Sequence, residues 1–393
     1  MAIPDLQALL NKGVRGKRVF VRADLNVPLA NGQIGDDTRI RAALPTLRAL
    51  QEAGARIVLA SHLGRPKGQH RPEISLQPIG LRLAELLGHE VAFVPHCVGK
   101  DALEAVAALR DGEILLLENL RFHPGEEAND PEFSRELAEL ADVYVNDAFG
   151  TSHRAHASTA GIVKHLEGAF AGMLLQTELE RLDIVRNPKR PLLCLLGGAK
   201  VSDKLSVLEA LAPHADVLAI GGAMAYTFLA ARGEPTGTSL VEPDRIEDAQ
   251  RVIEASQKSG RQLLLPVDHR VAQEIAEGSA SRVEAQIPDG WMGVDIGPES
   301  AAQYARAVRE AATVFWNGPM GVFEIDDFAK GTETVAQAVA KSTADSIVGG
   351  GDSLAAINRL GLGDRIGHLS TGGGASLEYV QGLTLPGVAA LEN

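Results

Sequence analysis

The sequence has little of several features that mark particular classes of protein. Only 2 of its 393 residues are cysteine, and Cys97 and Cys194 each lie beside or within an apolar run, as buried free thiols in a reducing compartment would. No uninterrupted apolar run approaches the roughly 20 residues that a membrane helix needs. The N-terminus has no basic start before its short apolar cluster, so no secretory signal is indicated. We therefore expect a cytoplasmic protein.

Several familiar binding and catalytic motifs are also missing. The chain has no P-loop pattern, no G-x-G-x-x-G fingerprint of a dinucleotide site and no G-x-S-x-G elbow of a hydrolase. Its histidines and cysteines show no zinc-like spacing. The formal net charge of −13 at pH 7 argues against nucleic acid or an anionic membrane as a partner. It does not exclude a small anionic substrate.

The sequence does contain a regular alternation of short apolar runs and helical patterns. Continuous apolar runs indicate parallel strands that are buried on both faces. These runs span residues 18–21, 56–60, 91–94, 114–117, 143–145, 192–196, 217–220, 263–265, 314–316, 346–348 and 368–370. Helical patterns, such as those over 134–141 and 207–215, separate them. The pattern predicts an α/β fold with two doubly wound parallel sheets.

The predicted domain boundary falls in the amphipathic stretch 172–191. This stretch ends in an Asn-Pro pair and a further proline, which is a strong stop signal for a helix. Similar segments at 141–150, 215–224 and 344–353 suggest two related halves, or only that helix-to-strand corners resemble one another. We expect an N-terminal domain over 1–171, a hinge helix over 172–190 and a C-terminal domain over 191–375.

Arginine repeatedly follows the predicted strands of the first half. Ligands of parallel α/β sheets bind beyond the carboxyl ends of the strands, and the arginines near these ends are Arg22, Arg39, Arg65, Arg121 and Arg154. Any one of them alone could be a solvated charge or part of an ion pair. Converging like charges, however, destabilise a fold unless an anion lies among them, and guanidinium groups suit carboxylate and phosphate. The sequence therefore predicts an anion site here.

Glycine takes the place of arginine after the strands of the second half. Glycine-rich corners occur at 197–204, 221–228, 316–324, 349–353 and 372–376. Such corners let a ligand approach the backbone and its free N–H groups, which suggests a nucleotide with several phosphates. Lys200 and Lys204 would share one face of a helix near its positive end, an arrangement that calls for an anion. Asp352 and Ser353 either cap the next helix or, for the aspartate, hold Mg²⁺.

The ordered motifs of the chain resemble those of the phosphoglycerate kinase family. They are RADLNVP, DDTRI, HLGRP, ENLRF, NDAFGTSHRAHAS, GGAKVSDK, WNGPMGVFE, GGGDS and STGGGASLE, and they cover essentially the whole chain. No motif residue is lost, and Ala23 and Ser202 stand where the family itself varies. The resemblance implies two Rossmann-like domains facing across a cleft, with the C-terminal segment 376–393 returning to the N-terminal domain.

The resemblance also implies the reaction and the site residues. The reaction would be reversible phosphoryl transfer from 1,3-bisphosphoglycerate to ADP, with Mg²⁺, in a protein that is usually monomeric and uses no nucleic acid or membrane. The residues expected to bind 3-phosphoglycerate are Arg22, Asp24, Asn26, Arg39, His62, Arg65, Arg121 and Arg154. Those expected around the nucleotide are Gly198, Ala199, Lys200, Lys204, Gly221, Gly222, Asn317, Pro319, Val322, Glu324, Gly349, Gly350, Gly351, Asp352 and Ser353. Asp352 would hold the metal.

The chemistry of this reaction agrees with the residue types. The attacking oxygen is already ionised in both directions, so alignment and charge neutralisation can suffice without a general base. The candidate catalytic groups are Arg39, Lys200 and the amides of Gly372, Gly373 and Gly374. An NAD-dependent dehydrogenase, a two-lobed anion-binding protein and an inactive homologue are the alternatives. The first lacks its fingerprint, and the second has no use for Lys200 among glycine corners.

Overall fold

The computed structural model describes residues 3–30 and 32–392. The chain divides into two compact units: unit 1 comprises Met1–Leu179 with Thr384–Asn393, and unit 2 comprises Glu180–Leu383. The first division point lies inside the predicted hinge stretch 172–190, whose role as a hinge stays a prediction. The second lies at 383/384 rather than at 376, because the helix Gly374–Val380 belongs to unit 2.

The main sheet of unit 1 is parallel throughout, with strand order β5-β6-β4-β1-β7-β8. The strands of this unit are β1 (Arg18–Ala23), β2 (Leu29–Ala30), β3 (Gln33–Ile34), β4 (Arg56–Ala60), β5 (Ala92–Val94), β6 (Ile114–Leu117), β7 (Val143–Asp147) and β8 (Ala169–Ala171). Strands β2 and β3 form a separate short hairpin. Every residue of β6 and β7 is buried, as expected for strands covered on both faces.

Helices connect these strands and cover the sheet. They are α1 (Leu6–Lys12), α2 (Thr38–Glu52), α3 (Gln77–Leu87), α4 (Lys100–Ala108), α5 (Pro124–Glu127), α6 (Pro131–Ala138) and α7 (Met173–Arg186). Helix α6 begins three residues before the predicted 134–141, because the Asp130 side chain accepts from Phe133 N at 2.9 Å and Pro131 occupies the first turn. Ile40 and Leu47 of α2 join Val21 and Leu59 of the sheet in one core.

Unit 2 is built around a second parallel sheet, with strand order β11-β10-β9-β15-β16-β17. Its strands are β9 (Leu192–Leu196), β10 (Val217–Ile220), β11 (Gln262–Leu264), β12 (His269–Ala272), β13 (Ser281–Glu284), β14 (Met292–Ile296), β15 (Thr313–Asn317), β16 (Asp345–Gly349) and β17 (His368–Ser370). Strands β12, β13 and β14 form an antiparallel sheet that the sequence analysis did not predict. The predicted α/β fold with two parallel sheets is confirmed.

The helices of unit 2 follow the strands in the same alternation. They are α8 (Leu205–Leu211), α9 (Met224–Ala231), α10 (Ile246–Ser259), α11 (Pro298–Glu310), α12 (Lys330–Lys341), α13 (Gly351–Arg359) and α14 (Gly374–Val380), and the last helix of the chain, α15 (Pro386–Ala389), lies in unit 1. Lys200 and Lys204 do not share a helix face, because α8 starts only at Leu205 and turns occupy the residues before it. That expectation was wrong.

Two further expectations can be compared with the structure. Cys97 and Cys194 are both buried and free, as predicted. Among the helices of residues 3–30 and 32–392, none has the length and apolar character needed to cross a membrane.

Candidate active site

The loops after β1 and β4 are held together at Gly64 in unit 1. Gly64 N donates to Asn26 Oδ1 at 2.9 Å, and Arg121 Nη1 donates to Gly64 O at the same distance. Arg121 Nε also lies 3.3 Å from Glu127 Oε1. Asn26 and Arg121, which are far apart in sequence, therefore meet at one corner of the sheet.

Arg39 lies beside this corner, near the start of α2. Its Nη1 is 2.9 Å from Asp24 Oδ2, and its side chain is 33% exposed while that of Asp24 is 7% exposed. The ion pair orients the guanidinium, yet a third of the side chain stays open to an incoming anion. Arg65 and Arg154, on neighbouring loops of the same unit, are exposed.

His62 is enclosed in this arginine-rich region. Only 3% of it is exposed, and burial together with the nearby charges of Arg22, Arg121 and Arg39 holds its pKa well below the ordinary value. The imidazole is therefore neutral at physiological pH and can offer one N–H as a hydrogen-bond donor.

Arg22 does not fit the role of a substrate ligand. Strand β1 continues to Ala23, and Arg22 pairs with Ala60 and Asn146 within the sheet. The side chain therefore leaves the backbone inside the sheet rather than beyond its edge, and it is 0% exposed. Its Nε donates to Ser158 Oγ at 2.8 Å and its Nη1 to Ala23 O, so it binds the protein itself.

In unit 2, glycine corners and two lysines line a cavity of about 360 Å³ beyond the carboxyl ends of the strands. The predicted residues that line it are Gly198, Ala199, Lys200, Lys204, Asn317, Gly350, Gly351, Asp352, Ser353, Gly373 and Gly374, and Asp203 joins them. Lys200 is exposed. Burial lowers the pKa of Lys204 to about 8, although the carboxylates of Asp352 and Asp203 oppose the shift. The chemistry of this cavity suits a polyanion.

Asn317 supplies the sharpest sign of a ligand in this cavity. It is 1% exposed, and neither Oδ1 nor Nδ2 of its side chain has a hydrogen-bond partner among the described residues. An unpartnered buried polar group costs about 1 to 3 kcal/mol. A phosphate oxygen would accept from Nδ2, and a water molecule of its hydration shell would donate to Oδ1.

Asp352 and Ser353 lie in the first turn of α13 and do not cap this helix. The cap position is Gly350, and no side-chain cap hydrogen bond is formed there. Ser353 Oγ instead accepts from Gly318 N at 2.6 Å, which fixes the turn after β15. The exposed carboxylate of Asp352 is left at the cavity wall.

A second, mostly apolar cavity of about 570 Å³ adjoins the first and shares Gly198, Ala199 and Asp352 with it. Its predicted lining residues are Gly198, Ala199, Gly222, Pro319, Val322, Glu324 and Asp352. The sequence analysis missed Tyr226, Thr238, Ser239, Leu240, Val241, Ile275, Met292, Gly293 and Val294. These come from α9, β14 and intervening loops, and only the tertiary fold brings them together.

Three predicted glycines lie outside both cavities. A Cβ on Gly221 would lie 2.4 Å from Met320 Sδ, so this glycine permits close packing. Gly349 is a buried residue of β16. Gly372 N donates to Ser370 Oγ at 3.4 Å. Of the three glycines 372 to 374, Gly373 and Gly374 line the cavity that contains the two lysines.

Glu242 holds the lysine-bearing loop in place. Ser202 donates to it through Oγ at 2.6 Å and through its backbone N at 3.1 Å. The preceding residues Thr238–Val241 line the apolar cavity. One short segment therefore forms part of the apolar cavity and also fixes the loop that carries Lys200 and Lys204.

The carboxylates near the cavities determine whether the site could hold a metal ion. Within residues 3–30 and 32–392, no three or more His, Cys, Asp or Glu side chains are grouped so that they could hold a metal ion. Mg²⁺ is commonly held by one or two carboxylates together with substrate phosphates. A single exposed carboxylate, Asp352, shared by a polyanion cavity and its apolar neighbour, fits a metal ion that accompanies a nucleotide.

Comparisons with known proteins agree on one family. The phosphoglycerate kinase family model matches residues 9–383. A phosphoglycerate kinase of Moorella thermoacetica is 55% identical over 381 residues, covering 96% of this chain and 97% of the relative. A cytosolic phosphoglycerate kinase of Triticum aestivum is 53% identical over 386 residues, 96% of each chain. The solved phosphoglycerate kinase structure from Coxiella burnetii matches with a TM-score of 0.90 and 42% identity, covering 100% of this chain and 99% of that one. This chain therefore belongs to the phosphoglycerate kinase family and is a phosphotransferase.

Proposed function

We propose that the chain catalyses reversible phosphoryl transfer from 1,3-bisphosphoglycerate to ADP, giving 3-phosphoglycerate and ATP. The observation that carries the proposal is the pair of adjoining cavities in unit 2. One is lined by lysines, glycine amides and the unpartnered Asn317, and the other is apolar. This combination suits the phosphates and the adenosine of a nucleotide.

In unit 1, the arginine-rich corner binds 3-phosphoglycerate in this proposal. The residues assigned to it are Asp24, Asn26, Arg39, His62, Arg65, Arg121 and Arg154. The cationic groups match the carboxylate and phosphate of the substrate, while Asp24 and Asn26 accept and donate at its hydroxyl. Arg22 is excluded from this set because its side chain is enclosed.

Transfer is direct in this proposal, because neither direction needs a base or a nucleophile from the protein. Arg39 and Lys200 neutralise the charge that spreads over the equatorial oxygens of the transferring group, and the amides of Gly373 and Gly374 donate to the same oxygens. Reacting oxygen and phosphorus must approach to about 3 to 3.5 Å. The two units must therefore bring their substrates together during turnover, and we propose residues 172–190 as the hinge.

Asp352 would hold the Mg²⁺ ion that accompanies the nucleotide in this proposal. When bound, that ion would supply neutralisation of phosphate charge and help to orient the terminal phosphates. We further propose a cytoplasmic monomer. Two buried free cysteines, which are typical of a reducing compartment, and the cytosolic relative support the location. The resemblance to a family that is usually monomeric supports the monomer.

A coupled assay in both directions tests this function. Purified protein is expected to form ATP from 1,3-bisphosphoglycerate and ADP, and ADP from 3-phosphoglycerate and ATP, with normal saturation by both substrates. An inactive homologue or an anion-binding protein would bind 3-phosphoglycerate without turnover. A dehydrogenase would turn over only with a nicotinamide cofactor. Either outcome would refute the proposal.

The nucleotide KM is expected to rise with pH above about 8. Burial lowers the pKa of Lys204 to about 8, so its ammonium group is charged below that pH and increasingly neutral above it. Each further pH unit removes about nine-tenths of the remaining charge, and KM for ATP should rise by up to about tenfold per unit. Lys204→Arg should flatten the profile, since arginine stays charged.

The matched control for this profile is Lys258→Arg, at a lysine of α10 whose side chain is 80% exposed. It should keep the wild-type dependence. A wild-type KM for ATP that stays constant from pH 7.5 to about 9.5 would show that Lys204 does not bind the phosphates as an ammonium group.

A further inference from the structure

A continuous chain of buried hydrogen bonds runs behind the arginine-rich corner of unit 1. It links Glu126, Ser158, Arg22 and His62, of which the first three are 0% exposed and the last is 3% exposed. The sequence analysis singled out neither Glu126 nor Ser158. These residues belong to α5 and to a π-helical turn, Ala157–Gly161, so the fold alone brings the four together.

The direction of each hydrogen bond in this chain follows from the groups themselves. A guanidinium group has only donors and cannot lose its proton in a protein. Arg22 Nη2 lies 3.3 Å from His62 Nδ1, so Nδ1 must be the acceptor. A neutral imidazole carries one proton, which must then be on Nε2.

The direction of the Ser158 hydroxyl proton follows from its partners in the same way. Its single hydroxyl proton goes to Glu126 Oε1 at 2.6 Å, and its backbone N donates to Oε2 at 3.0 Å. The hydroxyl oxygen is then free to accept from Arg22 Nε at 2.8 Å. The hydroxyl of Tyr144 donates to the backbone oxygen Ser158 O at 2.9 Å.

Charge balance explains why a carboxylate ends the chain. A buried guanidinium group needs a compensating anion, and Glu126 supplies it through Ser158. Burial raises the pKa of Glu126, while the charge of Arg22 opposes the rise. The charge of Arg121 also lowers the pKa of Glu126. A further ionisable neighbour is His156, whose Nδ1 is 3.8 Å from Glu126 Oε1. Burial and nearby arginines lower the pKa of His156 to about 4. His156 is therefore neutral and does not compete with Arg22 for the negative charge of Glu126.

We propose that the Glu126–Ser158–Arg22 chain fixes His62 as the neutral imidazole with its proton on Nε2, so that unit 1 presents a defined N–H donor to an oxygen of its substrate. Arg22, Ser158 and Glu126 are positioning residues, which act through His62. The use of that donor rests on the proposed function, whereas the tautomer itself does not.

Long-range ¹H–¹⁵N NMR of the full-length protein labelled at histidine tests the tautomer directly. His62→Gln identifies the signals. In the wild type, Nδ1 is expected to show the shift of an unprotonated nitrogen and Nε2 that of a protonated one, unchanged from about pH 6 to 8. Protonation of Nδ1, or a rapid average of both forms, would overturn the proposal without any variant.

Two variants test the role of the chain of hydrogen bonds. Ser158→Ala should allow the Nδ1–H form to appear and raise KM for 3-phosphoglycerate several-fold, with kcat and KM for ATP changed less than twofold. Glu126→Gln keeps an acceptor for the serine but loses the charge, so it should act in the same direction and more weakly. Tyr144→Phe removes a buried hydrogen bond to the backbone of the same serine and leaves the Ser158 hydroxyl in place, so it should leave the tautomer and both KM values unchanged.

These measurements can refute the tautomer assignment and the proposed function independently of each other. A wild-type protein with the expected tautomer and no ATP formation would refute the function and leave the assignment standing. Active protein in which Ser158→Ala and Tyr144→Phe give the same tautomer and the same KM for 3-phosphoglycerate would overturn the role of the chain.

Discussion

Arg39→Ala is expected to lower kcat for ATP formation by about 10³-fold or more. The side chain is held by Asp24 at 2.9 Å yet is one-third exposed, so it is oriented and still able to reach a phosphoryl group. An arginine that neutralises a transferring phosphoryl group is worth about 10³ to 10⁵ in kcat, or at least about 4 kcal/mol of the barrier. Stopped-flow or steady-state assays with saturating substrates measure this loss.

The matched control is Arg41→Ala, two residues further along α2. Its side chain is 54% exposed and pairs with Asp37 at 2.8 Å, so its removal should change kcat by less than about twofold. Arg39→Lys keeps the positive charge but lacks the planar guanidinium group, so its kcat should lie between those of Arg39→Ala and the wild type. If Arg39→Ala retains a tenth of the wild-type kcat while its thermal unfolding is normal, Arg39 is not a catalytic residue.

Lys200→Ala is expected to lower kcat by about 10² to 10³-fold, the usual cost of one electrostatic contact to a developing charge. Lys200 is exposed at the cavity of about 360 Å³, whereas Lys204 is partly buried at the wall of the same cavity. The two lysines should therefore behave differently. Lys200→Ala should mainly lower kcat, and Lys204→Ala should mainly raise the dissociation constant of ADP, which calorimetry measures.

Lys258→Ala controls for the loss of one positive charge from unit 2, because this lysine is 80% exposed and pairs with Glu254 of its own helix. This variant should keep kcat and the dissociation constant of ADP near the wild-type values. Equal changes of kcat and of ADP affinity in Lys200→Ala and Lys204→Ala would contradict the division of roles between the two lysines.

The sequence predicted the parallel sheets well because their strands are buried on both faces. The run 192–196 coincides with β9, and 314–316 is the centre of β15 (Thr313–Asn317), in which every residue is buried. The antiparallel sheet of unit 2 was missed for the opposite reason. Strand β13 carries Arg282 and Glu284 and has no buried residue, so no hydrophobic pattern marks it.

The lysine loop shows where local patterns mislead. A spacing of four residues predicts a shared helix face, but the chain turns at 201–204 and Lys204 is the residue before α8. Its partial burial, and hence its lowered pKa, arises from the tertiary fold. The same holds for the apolar cavity, where Tyr226, Leu240 and Met292 come from three separate segments.

Arg22 shows the limit of assigning ligand residues from the predicted end of a strand. The apolar run 18–21 predicted a strand that ends before Arg22, but β1 continues to Ala23 because β4 and β7 pair with it on both sides. An arginine inside a central strand needs buried partners. Its side-chain partners Ser158 and His62 are 136 and 40 residues away in sequence, a distance over which one sequence carries no pairing signal.

The stereochemical course at phosphorus tests the central claim, direct transfer between the two substrates, most directly. The terminal phosphoryl group of ATP, made chiral with oxygen isotopes, is transferred to 3-phosphoglycerate and its configuration is determined in the product. One in-line displacement predicts inversion. Retention would require two displacements through a phosphorylated residue of the protein and would contradict this account.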